Sequence, residues 1–355
     1  MIITTTGFFN TGSSAITHIL KEFNDVKLAD DVYEVRIIYD PDGIDDLRYH
    51  LIDCPHRQNS SFALKKFKKF IDYNSNIFSN HHYELICEHN FKKISYEYIN
   101  SLSYFTFKSN SHIEVYERGV LFTFINRLFQ KIIRFFRNKL RIKISKDSLI
   151  SNKTNQYATI IDKSLFFSQT KKYIGIILDY CNKNKSEFTV VDQLIPPSNF
   201  HRYSEYLPND KLVVFVVDRD PRDLYVICKY FLKTSAIPCY NHEVFCKWYK
   251  WTRHQYTIDD DPSFVHRIQF EDLIYNYNET RIKIANICGL DLSKCDNLGV
   301  FFDPSKSINN TQVWYRYPKS KKEIEYIQHE LSEYCFDFEK YKSKPLYEKN
   351  NMFDC

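Results

Sequence analysis

Residues 7–16 have the sequence GFFNTGSSAI and directly follow the apolar, β-branched run IITT at residues 2–5. Gly7 and Gly12 are separated by four residues and followed by two serines, which is the spacing of a phosphate-binding loop between a strand and a helix. Such a loop directs successive backbone N–H groups at an oxyanion in front of a helix N-terminus. The segment predicts a strand over residues 2–5, an anion-binding loop and a helix over about residues 13–23.

Ser13 occupies the position at which loops that bind nucleoside triphosphates carry a lysine. Because that lysine contacts the β- and γ-phosphates, its absence favours a ligand that presents a single phosphate to the loop. The alternative is a glycine turn in front of a serine-capped helix, with no ligand at all.

A second informative segment begins about two hundred residues later. Residues 212–217 form the continuous apolar run LVVFVV, which is typical of a strand covered on both faces of a parallel sheet. The charged sequence DRDPRD follows at residues 218–223. Ligands of open α/β sheets bind at the carboxyl ends of strands, where Arg219 and Arg222 would offer paired donors to a phosphate. The alternative is a solvated turn with arginine–aspartate pairs, in which Pro221 begins a helix.

The remaining apolar runs predict alternating strands and helices. Further strands are expected near residues 26–39, 188–191 and 265–270, and helices near residues 64–73, 83–87, 157–183, 222 onward, 242–256 and 323–334. This alternation is typical of α/β proteins. We predict a three-layer, open parallel β-sheet with helices on both faces, forming one domain over residues 1–345 that is followed by a tail over residues 346–355.

A basic insertion is predicted within this domain over residues 115–150. No acidic residue occurs between Glu117 and Asp147. An amphipathic helix over residues 118–146 is predicted by apolar residues at helical spacing and cations gathered on the opposite face. The apolar residues are Leu121, Ile125, Leu128, Ile132 and Phe136, and the cations are Arg127, Lys131, Arg134 and Arg141. Two explanations are open: peripheral contact with an anionic membrane surface, or an insertion packed on the core with a solvated basic face. The polar run at residues 145–156 predicts a surface linker.

Bulk composition limits the class of protein. The 355 residues are sufficient for one large α/β domain, and the net charge of +5 fits an anionic small molecule better than nucleic acid. The ten cysteines are scattered without metal-binding or redox spacing, which predicts reduced thiols. The first residues lack a signal-peptide pattern and no apolar run is long enough to span a bilayer, so we expect a cytoplasmic protein.

Taken in order along the chain, these segments resemble the sulfotransferase family that uses 3′-phosphoadenosine-5′-phosphosulfate (PAPS). The similarity is carried by GFFNTGSSA and DRDPRD, and by YEVR at 33–36, DPDGI at 40–44, Asp192, Gln193, Pro196, Asn199, FEDL at 270–273 and FDPSKSIN at 302–309. It covers about the first fifty and the last hundred and seventy residues and skips the basic middle. The resemblance implies a P-loop-like sulfotransferase fold.

The resemblance also implies a set of site residues. The first loop would bind the 5′-phosphosulfate and the strand-end arginines the 3′-phosphate. The nucleotide-binding residues would be Asn10, Thr11, Gly12, Ser13, Ser14, Ala15, Arg219, Arg222 and Ser307. The catalytic residues would be Glu34 as the base and Asn10 at the position of the family's loop lysine. We hypothesise that a cation from elsewhere, Lys306 or Arg36, replaces that lysine. The alternative for Glu34 is a surface carboxylate paired with Arg36. No metal is expected, because sulfuryl transfer does not require one.

Two positions depart from the family pattern. Asn10 stands where many members carry a lysine, and Ile227 stands where many carry a serine. The predicted function is sulfuryl transfer from PAPS to a hydroxyl of a carbohydrate or glycolipid acceptor, as in polysaccharide biosynthesis. The alternatives are a catalytically silent nucleotide- or glycan-binding protein of the same fold and a P-loop small-molecule kinase.

Overall fold

A four-stranded parallel sheet forms the centre of the molecule. The computed structural model describes residues 1–26, 33–109, 117–139, 141, 154–160, 162–208, 211–254, 260–342 and 345. The strands are β1 (Ile2–Gly7), β2 (Ser103–Ser109), β3 (Thr154–Thr159), β4 (Thr189–Asp192), β5 (Leu212–Asp218) and β6 (Val265–Gln269). The parallel sheet has the order β4-β1-β5-β6, and β2 and β3 form a separate antiparallel pair.

Fourteen α-helical segments are formed by the described residues. They are α1 (Ser14–Lys21), α2 (Ile44–Arg48), α3 (Arg57–Asn74), α4 (His82–Ile86), α5 (Phe91–Ser101), α6 (Gly119–Lys139), α7 (Lys163–Cys181), α8 (Phe200–Ser204), α9 (Pro221–Val226), α10 (His242–His254), α11 (Asp272–Tyr275), α12 (Tyr277–Cys288), α13 (Pro304–Ser307) and α14 (Lys321–Glu330). Short 3₁₀ and π-helical turns connect several of them.

Alternate residues of the strands pack against helices on opposite faces of the parallel sheet. Ile2 and Val214 belong to a core that includes residues of α3, α5 and α7. Ile3 and Val213, their immediate neighbours, belong to a second core with residues of α1 and α12. Because successive strand side chains point to opposite faces, each strand is buried on both sides. The prediction of an α/β protein with helices on both faces of a parallel sheet is confirmed.

The strand predicted near residues 26–39 is reduced to a single bridge. Glu34 pairs with Asp192 in a parallel bridge beside β4. The backbone N–H groups of Tyr39 and Asp40 then donate to the carbonyl of Arg36, at 3.1 and 2.9 Å, so the chain turns instead of extending. Residues 27–32 lie outside the described part of the chain.

The helix predicted over residues 157–183 begins later than expected. Residues 154–159 form β3, which satisfies its backbone groups by pairing with β2. The helix starts after Asp162, whose carboxylate accepts a hydrogen bond of 2.9 Å from the N–H of Leu165. The linker predicted at residues 145–156 is therefore wrong at its end, and residues 145–153 are not described.

The predicted basic helix is α6, and its apolar face is directed at solvent. Ile133 is its one buried residue. The apolar residues named by the spacing are all exposed: Leu121, Ile125, Leu128, Ile132 and Phe136. The explanation that this face packs on the core is therefore wrong. Residue 140, residues 142–150 and the predicted tail at 346–355 lie outside the described residues.

None of the described helices combines the length and the apolar composition needed to cross a lipid bilayer.

Candidate functional site

A crevice of about 300 Å³ opens at the carboxyl ends of β1, β4 and β5. Its lining comes from five separate parts of the chain: Gly7, Phe9, Asn10, Thr11, Gly12, Ser13, Ser14, Ala15, His18, Asp192, Gln193, Arg219, Phe270, Phe302, Ser307 and Asn310. Strand ends of parallel sheets are the usual place for ligands in this class of fold. Eight of the nine nucleotide-binding residues expected from the sequence therefore lie around one cavity, and Arg222 does not.

The loop after β1 has a backbone that depends on its glycines. Phe9, Asn10 and Gly12 have φ angles of 79°, 52° and 91°, in the left-handed region. A Cβ on Gly12 would lie 2.5 Å from the ring of Phe270, and one on Gly7 would lie 2.1 Å from Thr11 Oγ1. The loop is therefore held tightly between the sheet and the aromatic wall of the crevice.

The loop presents unpaired N–H groups to the crevice. Ala15 N–H donates to the carbonyl of Gly12 at 3.0 Å, which begins α1. The backbone N–H groups of residues 10–14, in contrast, have no acceptor among the described residues. Together with the partial positive charge at the N-terminus of α1, these donors are suited to an anion.

Arg219 brings a fixed positive charge to the opposite side of the crevice. It is 3% exposed, and its guanidinium lies 4.5 Å from the centroid of the Phe270 ring. One terminal nitrogen donates to the carbonyl of Asn310. Its Nε is buried without a hydrogen-bond partner in the described part of the chain. A buried, unsatisfied guanidinium nitrogen beside a cavity indicates an anionic ligand.

Arg222 lies behind the crevice and has a structural role. Its guanidinium binds the carboxylate of Asp220, with the shortest contact at 2.6 Å, and donates to the carbonyl of Phe336 at 2.9 Å. It also stacks on Trp314, 4.3 Å from the ring centroid. The resemblance implies that Arg222 binds the nucleotide, whereas in the structure its guanidinium is paired with Asp220 and Phe336 and does not line the cavity.

A buried carboxylate fixes residues 302–313, which we call the late loop, over the crevice. Asp223 accepts hydrogen bonds from the N–H groups of Gln312 and Val313, at 2.9 and 2.6 Å. Burial raises the pKa of Asp223 to about 7, and the charge of Asp220 adds to this effect. The segment Arg219–Asp223 therefore connects the strand end to residues ninety positions later.

The late loop places one hydroxyl in the crevice and one lysine outside it. Ser307 is 1% exposed, and its Oγ has no hydrogen-bond partner among the described residues. Asp303 caps helix α13, which contains Ser307, by accepting a hydrogen bond from the N–H of Ser305 at 2.9 Å. Lys306 is exposed and does not line the cavity. It therefore lies outside the position expected for a catalytic cation.

The two carboxylates beside β4 have different surroundings. Glu34 is about half exposed, pairs with Arg36 at 3.1 Å and does not line the cavity. Asp192 lines the cavity and accepts a hydrogen bond of 2.6 Å from Thr5 Oγ1. Burial raises the pKa of Asp192, and the negative charge of Glu34 raises it further. Asp192 is therefore the carboxylate of this pair that faces the cavity, and its surroundings favour proton uptake more than those of an exposed aspartate do.

Three further polar residues, His18, Gln193 and Asn310, line the crevice without having been predicted as site residues. His18 has a buried Nδ1 with no partner in the described residues, and burial, aided by the charge of Lys21, lowers its pKa. Gln193 has a φ of 58°, and its Oε1 accepts from Thr6 Oγ1 at 3.2 Å. Gln193 follows Asp192 at the carboxyl end of β4, and this position was the available signal.

Asn10 and Ile227, the two positions that depart from the pattern of the resembled family, both contact other protein groups. The amide nitrogen of Asn10 contacts Cys228 Sγ at 3.6 Å. Ile227 is fully buried in an apolar cluster formed with residues of α10 and α14. Ile227 therefore contributes to core packing.

No protein-family model, curated protein or solved structure is significantly similar to this chain. Within the described residues, no group of three or more histidine, cysteine, aspartate or glutamate side chains is arranged to hold a metal ion.

Proposed function

We propose that this chain has a P-loop-like sulfotransferase fold, binds PAPS in the crevice and transfers its sulfuryl group to a carbohydrate or glycolipid hydroxyl. The observation that carries the proposal is that Arg219 and the unpaired amides after β1 line the same cavity. Since β1 and β5 are neighbouring strands, their loops offer two anion-binding positions on one ligand. A cavity of about 300 Å³ is at the lower end of the range for small-molecule sites.

The proposed binding mode uses the unsatisfied groups of the site. The amides of Gly12, Ser13 and Ser14 would bind the 5′-phosphate, where N–H donors and the start of α1 meet. The Nε of Arg219 and the hydroxyl of Ser307 would bind the 3′-phosphate, and both atoms lack a protein partner among the described residues. Charge-assisted hydrogen bonds of this kind are stronger than those between neutral groups.

In the proposed reaction, Asp192 accepts the proton of the acceptor hydroxyl. The acceptor oxygen attacks the sulfur, and the bond from sulfur to the bridging phosphate oxygen breaks. The leaving group is 3′,5′-adenosine bisphosphate, whose developing negative charge would be stabilised by the loop amides. Glu34, the base expected from the resemblance, would act through its effect on the pKa of Asp192.

A second candidate is a nucleotide-binding protein without transfer activity. The small number of cations in the crevice favours this candidate. Among the described lining residues, only Arg219 carries a permanent positive charge. Asn10 replaces the usual lysine, and Lys306 lies outside the cavity. A kinase with Mg²⁺-ATP is less well supported, since the loop lacks its lysine.

Calorimetric titration tests the binding proposal. We expect 3′,5′-adenosine bisphosphate to bind, 5′-AMP to bind roughly 10- to 150-fold more weakly, and Mg²⁺-ATP not to bind measurably. Arg219→Gln should lower the affinity for the bisphosphate to that for 5′-AMP. Lys306→Gln is the matched control, because it removes a nearby cation that does not line the cavity. Equal affinities for the bisphosphate and 5′-AMP would contradict the proposal.

Product release separates the two candidate functions. Release of the bisphosphate from PAPS is measured over a panel of glycan and glycolipid acceptors, with Asp192→Asn as the inactive reference. Acceptor-dependent release supports transfer. Tight binding of the bisphosphate without release on any acceptor supports the silent binding protein.

A further inference from the structure

Helix α6 carries a continuous apolar surface that the rest of the described chain leaves uncovered. Six of its side chains lie on one face and are between 43% and 87% exposed: Val120, Leu121, Phe124, Leu128, Ile132 and Phe135. Single exposed apolar side chains are common on soluble proteins, but a contiguous patch of this extent marks an interaction site.

The opposite face of α6 is the one that contacts the protein. Ile133 is 3% exposed, and Phe122, Asn126 and Arg137 on the same side are partly buried. At the start of the helix, Glu117 accepts from Lys66 and Lys69 of α3 at 2.9 and 2.8 Å. The side of the helix that carries Ile133 and Phe122 is therefore turned toward the protein, and the broad apolar face defined above is directed outward.

A stripe of positive charge borders the apolar face. Arg127, Lys131 and Arg134 are spaced by four and three residues, which places them along one edge of the helix, and all three are exposed. No acidic residue occurs after Glu117 until Asp147. The surface therefore combines apolar side chains with cations and has no negative charge in the helix to oppose an anionic partner.

We propose that this face of α6 docks the protein on an anionic membrane surface, with the helix lying parallel to the bilayer plane. Its 21 residues give a length of about 30 Å, which suits an interfacial helix with its apolar face in the headgroup region. The cationic stripe would contact lipid phosphates at the edge of the buried face. Such docking would bring the crevice to lipid-linked acceptors.

A membrane accounts for the cationic stripe better than a second copy of the chain does. In a symmetric dimer through this face, the stripes of the two copies would approach each other without intervening carboxylates on α6, which is unfavourable. An anionic lipid surface satisfies the apolar face and the charges together. This proposal does not depend on the function of the crevice, because its readout needs neither nucleotide nor acceptor.

Vesicle co-sedimentation of the full-length protein tests the proposal. We expect the protein to pellet with vesicles of phosphatidylcholine and phosphatidylglycerol and to remain in the supernatant with phosphatidylcholine alone. The triple variant Leu121→Ser, Phe124→Ser and Leu128→Ser should abolish pelleting. The triple variant Arg127→Gln, Lys131→Gln and Arg134→Gln should weaken it, by roughly fivefold per residue removed.

Matched variants on other surfaces serve as controls. Ile77, Phe78 and Leu85 are exposed apolar residues elsewhere on the molecule, and their triple replacement by serine should leave pelleting unchanged. Replacement of the exposed residues Lys319, Lys321 and Lys322 by glutamine removes the same charge and should also have no effect. Because all substituted side chains are exposed, thermal melting should show that each variant is folded.

Two results would overturn the proposal. One is equal pelleting of the wild-type protein and the α6 variants. The other is that light scattering shows a wild-type dimer, that the triple serine variant of α6 is a monomer, and that neither protein binds vesicles. That result would assign the face to self-association.

Discussion

Thr5 Oγ1 donates a hydrogen bond of 2.6 Å to Oδ1 of Asp192, between neighbouring residues of the parallel strands β1 and β4. The bond holds the carboxylate at the rim of the crevice and favours its ionised form. It opposes burial and the charge of Glu34, both of which raise the pKa of Asp192. Two residues that do not themselves line the cavity, Thr5 and Glu34, therefore contribute to the basicity of this carboxylate, together with burial and a hydrogen bond from the Ser13 side chain.

Thr5→Val and Glu34→Gln should shift the pH dependence of transfer in opposite directions. Loss of the Thr5 hydroxyl raises the pKa of Asp192 further, so the acid limb of kcat/KM should move to higher pH. Removal of the Glu34 charge lowers that pKa, so the limb should move down. If Glu34→Gln abolishes turnover and Asp192→Asn does not, the base is Glu34.

Gly12→Ala should destabilise the protein and disrupt the loop. The left-handed φ of 91° and the contact of 2.5 Å with Phe270 both oppose a Cβ, so we expect a loss of about 2–5 kcal/mol in the free energy of unfolding. Gly289 has a φ of 70° but open space around it, and Gly289→Ala should cost only about 1–2 kcal/mol. Urea unfolding measures both values, and equal losses would contradict the crowding argument.

Arg222→Ala should affect stability much more than nucleotide affinity. The substitution leaves the buried carboxylate of Asp220 without its cation, which costs about 3–5 kcal/mol. Because Arg222 lies behind the crevice, the folded protein should bind 3′,5′-adenosine bisphosphate with an affinity close to that of the wild type. A stable variant that has lost this affinity would show that Arg222 contacts the ligand.

The stability of the ligand-free protein should contain a contribution that falls as the pH rises from about 4 to about 7. Burial raises the pKa of Asp223 to about 7 from its ordinary value of 3.8, so in this range the unfolded chain releases a proton that the folded chain keeps. Asp223→Asn should flatten the pH dependence of the unfolding free energy. An unchanged slope would show that Asp223 is ionised in the folded protein throughout this range.

The elements that were predictable carry local signals. Strand β5 is buried on both faces and therefore appears as an unbroken apolar run, and the loop at residues 7–16 needs glycines that are visible in the sequence. Strand β3 has the sequence TNQYAT, which lacks such a run. Its extended conformation depends on pairing with β2, about fifty residues earlier, and no local pattern reports that partner.

The site was predictable in outline but not in the roles of individual side chains. Arg219 and Arg222 are three residues apart and are equivalent in the sequence. Arg222 stacks on Trp314 and donates to the backbone carbonyl of Phe336, and these contacts, which form only when the chain has folded, hold it away from the crevice. The spacing of α6 likewise revealed an apolar face, whereas its exposure depends on how the helix is attached.

The central position of β1 has a consequence for biosynthesis. Ile2 pairs with both Thr189 and Leu212, so this strand has no sheet partner until nearly two hundred further residues have been translated. At ordinary rates of elongation this interval lasts on the order of ten seconds or more. During that time an apolar segment whose backbone groups lack their sheet partners stays exposed beside the ribosome. We therefore expect the nascent polypeptide to need chaperones that keep it from aggregating.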